Sequence, residues 1–265
     1  MSSGPVTLRP TIDRGWLERA ALADPLAHAY ALWDLDRYPE QVRFVSAVRG
    51  ETTVGYLLIW LGRGTAPIVH WFGATPDARA LADGLPPRPL VAVVPEEVGA
   101  DVERLRGPAK THPLLLLVAD REATPAAETV SPAVRKLTGA DRAQLVAWAT
   151  GRSDLVVTEY PYLDPEREEI WGCFDRGELN GVARAVVRLP AVWLLGGVYV
   201  DPAARGRGFG LALARALLVA GRRAGARVGL YVREDRPAPR AVYDRAGFRP
   251  WARRVWVDGG ARLEP

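Results

Sequence analysis

The stretch that most constrains this chain is GGVYVDPAARGRGFGL, residues 196–211. An apolar run of β-type residues feeds into a loop where Arg205 and Arg207 alternate with Gly206, Gly208 and Gly210. A helical pattern begins directly behind it. Folding alone does not ask for that alternation. The first turn of a helix presents unpaired N–H groups and a partial positive charge. Glycines let a ligand approach such a backbone closely. The segment therefore reads as a cradle for an anion, most naturally a pyrophosphate, and either arginine can reach a further phosphate.

The distribution of charge agrees. The formal net charge is only +4, but residues 203–254 hold thirteen arginines and three acidic residues, which implies a bound anion in this region. Nucleic acid fits less well than a phosphorylated small molecule. Arg215, Arg222 and Arg223 share a helix with Leu and Ala, an ordinary solvated face without the interleaved aromatics that a nucleic-acid platform uses. No apolar run reaches membrane-spanning length, and MSSGPVTLRP has no basic-then-apolar leader pattern, so a cytoplasmic protein with no membrane partner is expected. Cys173 is the only cysteine, which excludes an internal disulfide and reads as a small core residue. His28, His70 and His112 have no metal-ligand spacing, so no metal is expected.

At 265 residues the chain has room for two domains. The stretch 119–132, ADREATPAAETVSP, has neither helical nor strand period and marks a break, giving domains at 1–125 and 131–265. In the second, AVRKL (133–137) reads as a strand. TGADRAQLVAWAT reads as a helix with Thr138 and Asp141 placed as a capping box, and Leu145, Val146 and Trp148 able to face a core. DPEREEIW (164–171) reads as a further helix. Three strands follow, turning at DRGELNG and RLPAV. Then come a helix ending near Gly225, the strand RVGLYV, a short helix in RPAPRAVYDRAG and a final strand. The first half repeats the order helix, helix, three strands, helix, strand, helix, strand, from DRGWLERAAL through HPLLLLVA. The fold class is α/β (α+β), with a duplication of fold that no residue-level repeat accompanies.

Spacing narrows the loop's identity. A P-loop needs Gly-Lys followed by Ser or Thr, but Leu211 and Ala212 follow Gly210. A dinucleotide fingerprint needs GxGxxG, which Gly206, Gly208 and Leu211 fail. What remains is Arg-x-x-Gly-x-Gly at Arg205, Gly208 and Gly210, behind the strand end VYVDP. This resembles the coenzyme A-binding segment of the GNAT superfamily of N-acetyltransferases. A second segment, LYVREDRPAPRAVYDRAGFRP (230–250), resembles that family's downstream motif: Val242 stands in the Leu place, while Tyr243, Gly247 and Phe248 match. The resemblance covers residues 133–250.

The resemblance implies two GNAT-like domains, each a mixed, mostly antiparallel twisted sheet with helices on both faces. It implies transfer of an acetyl group from acetyl-CoA to a primary amine by direct attack, without a covalent enzyme intermediate. The amides of Gly206, Arg207, Gly208, Phe209, Gly210 and Leu211 would take the pyrophosphate. Val198, Tyr199 and Val200 would pair with the pantetheine arm like an added strand, with the Val198 N–H toward the thioester carbonyl and Gly196 and Gly197 permitting a bulge. Tyr243 would protonate the leaving thiolate. Partners would be acetyl-CoA and a small-molecule or peptide amine, and a homodimer is allowed. Two departures stand out. Arg236 occupies the place of a cofactor-contacting Asn, where it could meet a phosphate. The strand AVWLLGGVYV carries no acid, leaving Glu159, Glu169 and Glu178 as bases, or no base for an amine that arrives neutral. A non-catalytic acyl-CoA-binding or regulatory protein is the alternative. Trp171, Trp193, Tyr160 and Tyr162 fit either a cleft lining or a core. The first half, with Asp in its ATPDARALADG segment and no glycine series, is a degenerate copy without a cofactor loop.

Overall fold

The computed structural model describes residues 4–62, 66–73, 76–106, 109–119, 133–150, 152 and 160–259. The chain forms two compact units. The first comprises residues 1–115, 233–235 and 252–265, and the second residues 116–232 and 236–251. They are therefore not two consecutive halves. Except for Ala119, the break expected at 119–132 lies outside the described residues.

The first unit contains strands β1 (Val6–Arg9), β2 (Val42–Arg49), β3 (Thr52–Trp60), β4 (Ile68–Phe72) and β5 (Leu90–Pro95), with helices α1 (Arg14–Ala23), α2 (Ala29–Arg37) and α3 (Glu96–Arg106). Strand β6 (Lys110–Ala119) begins in this unit. The sheet order β1–β2–β3–β4–β5 is antiparallel except for the parallel pair β4–β5. Both faces are covered, as expected. Leu17 and Ala31 from α1 and α2 pack over Val42, Phe44, Tyr56 and Leu58. On the other face, Val98 and Val102 of α3 join Ala47, Leu57, Val69 and Val94. Two details differ from expectation. β1 was not foreseen, because it is only four residues long and its apolar alternation, Val6 and Leu8, is too short to mark a strand. The segment expected as an α-helix around TPDARALADG is a 3-10 helix, Pro76–Gly84, buried only through Ala78 and Leu81.

The second unit contains β7 (Val134–Lys136), α4 (Arg142–Ala149), β8 (Glu169–Asp175), β9 (Glu178–Arg188), β10 (Val192–Val200), α5 (Phe209–Arg223), β11 (Arg227–Arg233) and α6 (Pro237–Ala246). β12 (Phe248–Gly259) begins here and ends in the first unit, where Arg254–Gly259 pair antiparallel with β5. The order β7–β8–β9–β10–β11 is again antiparallel except for its last, parallel pair. The two units thus share strand order and direction, which is the duplication of fold.

The capping box forms as read: the Asp141 carboxylate accepts from the Thr138 backbone N–H at 2.9 Å. Arg135 also pairs with Asp141, and its hydrogen bond holds that carboxyl far below the usual range. DPEREEIW, however, is not a helix. The Asp164 carbonyl accepts from both Arg167 N–H and Glu168 N–H, and the Asp164 side chain caps Glu166 N–H at 3.1 Å. That self-satisfied turn ends in β8. Strand pairing wins after Glu169 because β9 offers a ladder and Lys136 neutralises the Glu169 carboxylate at 2.7 Å.

Candidate active site

The site grows from one irregularity in β10. Its parallel ladder with β11 runs from Val192–Arg227 to Leu195–Leu230 and stops, while β10 continues to Val200. On its other edge, Gly196 pairs with Arg184 and Tyr199 with Val182, so Gly197 and Val198 together oppose Ala183. This is a β-bulge. Gly197 has φ +62°, and a Cβ there would lie 2.5 Å from the Tyr160 hydroxyl oxygen, so glycine is required twice over. Tyr160 is fully buried and donates to the Gly197 carbonyl at 2.6 Å. From Gly196 to Val200 the edge of β10 toward β11 therefore has no ladder partner among the described residues.

At Val200 the chain turns into the glycine–arginine loop. The Asp201 carboxylate is clamped there: Arg152 donates to both its oxygens at 3.0 and 2.9 Å, and Trp148 Nε1 donates at 2.9 Å. Its backbone N–H reaches Asn180 at 2.8 Å. These groups fix where the loop starts. Gly206 and Gly208 have φ +78° and +83°, and a Cβ at either position would meet nothing within 4 Å. Glycine serves the left-handed backbone here, and the space outside it stays open. Gly208 is the N-cap of α5, whose first i→i−4 bond runs from Ala212 N–H to the Gly208 carbonyl. The amides of 209–211 precede that bond and have no i→i−4 acceptor in the helix. Phe209 anchors the turn inward, while Gly210 and Leu211 are half-buried.

The two arginines are partly engaged. Arg207 forms an exposed ion pair with Asp175 at 2.8 Å, which holds that carboxyl below its ordinary range. Arg205 Nε donates to the Val200 carbonyl at 3.0 Å. The Arg205 Nη amines make no hydrogen bond among the described residues.

The second sequence motif meets the first. α5 packs on α6, and a Cβ on Gly210 would lie 3.9 Å from Val242 Cγ1 and 4.0 Å from Val200 Cγ2. The strand end, the helix start and α6 thus converge at one point, with Tyr243 next along α6. Tyr243 is buried and packs edge-on against Phe248. Burial pushes its phenol up to about 12. Arg236, the N-cap of α6, is exposed and places no side-chain cap.

The remaining candidates separate. Glu169 is buried and bonded to Lys136 and to Trp171 Nε1, so its carboxylate is spent on structure. Glu178 lies exposed beside the β8–β9 turn, and Glu159 lies outside the described residues. Trp193 backs Gly221 and Tyr162 is exposed. Burial lifts the Cys173 thiol to about 12, consistent with an inert core residue. Sequence reasoning missed Tyr160, Trp148, Arg152 and Asp201 as supports of the site. The one available signal was an acid, Asp201, at the head of an otherwise basic loop.

Residues 135–248 match the family model described as the acetyltransferase (GNAT) family. No curated protein matches the sequence. Among solved structures, a Drosophila protein aligns over 95% of this chain and 98% of its own with TM-score 0.69 and 17% identity. A GCN5-related N-acetyltransferase from Sphaerobacter thermophilus aligns over 98% and 97% with TM-score 0.61 and 18% identity. A tandem GNAT protein from the clavulanic acid biosynthesis pathway aligns over 98% and 100% with TM-score 0.60 and 20% identity. These likenesses carry the fold, and they extend it to both units.

Proposed function

We propose that the chain, whose residues 135–248 match the family model described as the acetyltransferase (GNAT) family, is an N-acetyltransferase moving the acetyl group of acetyl-CoA directly to a primary amine. The observation that carries this reading is the meeting of an open strand edge, 196–200, with a helix start, 209–211, at one end of the pair β10–β11. An extended pantetheine arm matches the first feature and a pyrophosphate the second. The amides of 206–211 hold the pyrophosphate, and the Arg205 Nη amines add charge. Arg236 takes a further phosphate. Val198, Tyr199 and Val200 bind the pantetheine amides, and the Val198 N–H polarises the thioester carbonyl.

Chemically, the neutral amine nitrogen bonds to the thioester carbon, the C–S bond breaks as Tyr243 gives its proton to the sulfur, and the proton shed by the new amide nitrogen passes through water to restore the phenol. A phenol held near 12 keeps that proton at neutral pH. The amine must then arrive neutral or lose its proton to water. Calorimetry with acetyl-CoA and a thiol-release assay across amino acids, polyamines, aminoglycosides and peptide N-termini test the proposal. Acetyl-CoA binding with thiol release for one class is the expected result. No acetyl-CoA binding sinks it. Binding without turnover for any amine favours a regulatory acyl-CoA-binding role, the reading motivated by the acid-free strand β10 and the engaged Glu169 carboxylate.

A further inference from the structure

The first unit contains a mostly buried aspartate whose carboxyl has no partner among the described residues. Asp34 lies on α2 and is 7% exposed. Among the described residues its carboxyl has neither a hydrogen bond nor an ion pair, and only its backbone carbonyl is engaged, by Tyr38 N–H. Buried polar groups are almost always satisfied, and a lone carboxyl is among the costliest exceptions. Burial alone raises it to about 7, with no neighbouring charge contributing. A fold that merely needed to fill this position had Leu or Ala available.

The surroundings are aromatic. Tyr30 and Tyr38 lie one helical turn before and after Asp34, on the same side of α2. Tyr30 stacks on His70 of β4, with centroids 4.4 Å apart. Tyr38 meets Trp60 of β3 edge-on at 5.1 Å. His70 is the last residue of β4 paired with β5, at Val93, so this group stands where the first unit's parallel pair ends. The titratable rings nearby carry no positive charge at neutral pH, since desolvation holds both His70 and His28 down to about 4. A carboxyl one helical turn from each of two aromatic pairs has the chemistry of a cation site: the rings offer negative faces and the carboxylate supplies the counter-charge.

We infer that the first unit binds an organic ammonium group, with the Asp34 carboxylate as its ion-pair partner and Tyr30 and Tyr38 as flanking rings. The ligand class is a primary or methylated amine with an apolar body. The site lies outside the acetyl-CoA-binding domain and does not depend on transfer taking place.

Calorimetry on the full chain tests this with tyramine, tetramethylammonium and 4-ethylphenol, the last a near-isostere of tyramine lacking its ammonium. Saturable binding of tyramine but not of 4-ethylphenol is expected. Asp34→Asn should weaken tyramine at least tenfold. Tyr30→Leu, which keeps the carboxyl, should weaken it severalfold. Acetyl-CoA titrated into the same variants should bind as in the parent, which separates this result from the proposed transferase site. Equal tyramine affinity in the parent and Asp34→Asn, or no saturable ammonium binding by the parent, overturns the inference.

Discussion

Tyr160 donates its hydroxyl proton to the Gly197 carbonyl at 2.6 Å, at the residue where β10 bulges away from β9. That bond fixes the peptide plane joining Gly197 to Val198, and so the aim of the Val198 N–H. Tyr160→Phe should leave the part-buried Gly197 carbonyl without its donor, at a cost of about 1 kcal/mol. The protein should still fold, melt a few degrees lower, and lose turnover more than acetyl-CoA affinity. Equal losses in both would mean that the bond only supports the fold.

Tyr243→Phe should fold normally, since the ring keeps its edge-on contact with Phe248. Turnover should drop at least about tenfold, the low end of what a positioned general acid contributes. Acetyl-CoA affinity should hold. Because the phenol titrates near 12, no fall in rate between pH 6 and 9 should trace to this group. Unchanged turnover removes Tyr243 from the mechanism.

Asp201→Ala would strip Arg152 and Trp148 Nε1 of their shared acceptor. The loop start loosens, so KM for acetyl-CoA should rise about tenfold while KM for the amine stays put; the free energy involved matches the cost of an unsatisfied partly buried group, about 1–3 kcal/mol. Asp201→Asn, which preserves an acceptor for Trp148, should recover part of the loss. Steady-state kinetics with each substrate varied in turn decides the matter.

Asp34→Asn should stabilise the protein in a pH-dependent way. A carboxyl raised from 3.8 to about 7 in the fold favours folding when protonated, and that advantage disappears as pH climbs from about 4 to 7. His28 and His70 act oppositely: lowered from 6.5 to about 4, they cost stability as pH falls across that window, equally in parent and variant. The melting-temperature gain from Asp34→Asn should therefore be several degrees at pH 8 and shrink toward zero near pH 4.5. A gain that does not vary with pH would contradict the shift.

Much of the second unit was legible because its signals are local. The Thr138–Asp141 box and the bulge at Gly196–Gly197 each act within a few residues, and each formed as read. The failures share a non-local cause. Glu169 reads as helical beside its acidic neighbours, but its conformation is decided by Lys136 and by Ala185 across the ladder. The clamp on Asp201 joins residues 49 and 53 positions apart, which no periodicity reports. Asp34 also escaped notice, because on an amphipathic helix an acid is ordinary until its burial is known.

The path of the chain has a consequence for biosynthesis. Strand β12 leaves the ribosome after every other described element, yet its residues 254–259 pair with β5 of the first unit. The first unit is thus begun by residues made before the second unit and closed by residues made after it. Domains usually fold in order of synthesis. Here the earlier unit waits with one edge of β5 uncovered until the later unit has been translated. Both units therefore mature together, and a nascent chain halted before residue 254 should expose an apolar strand edge to any chaperone that reads one.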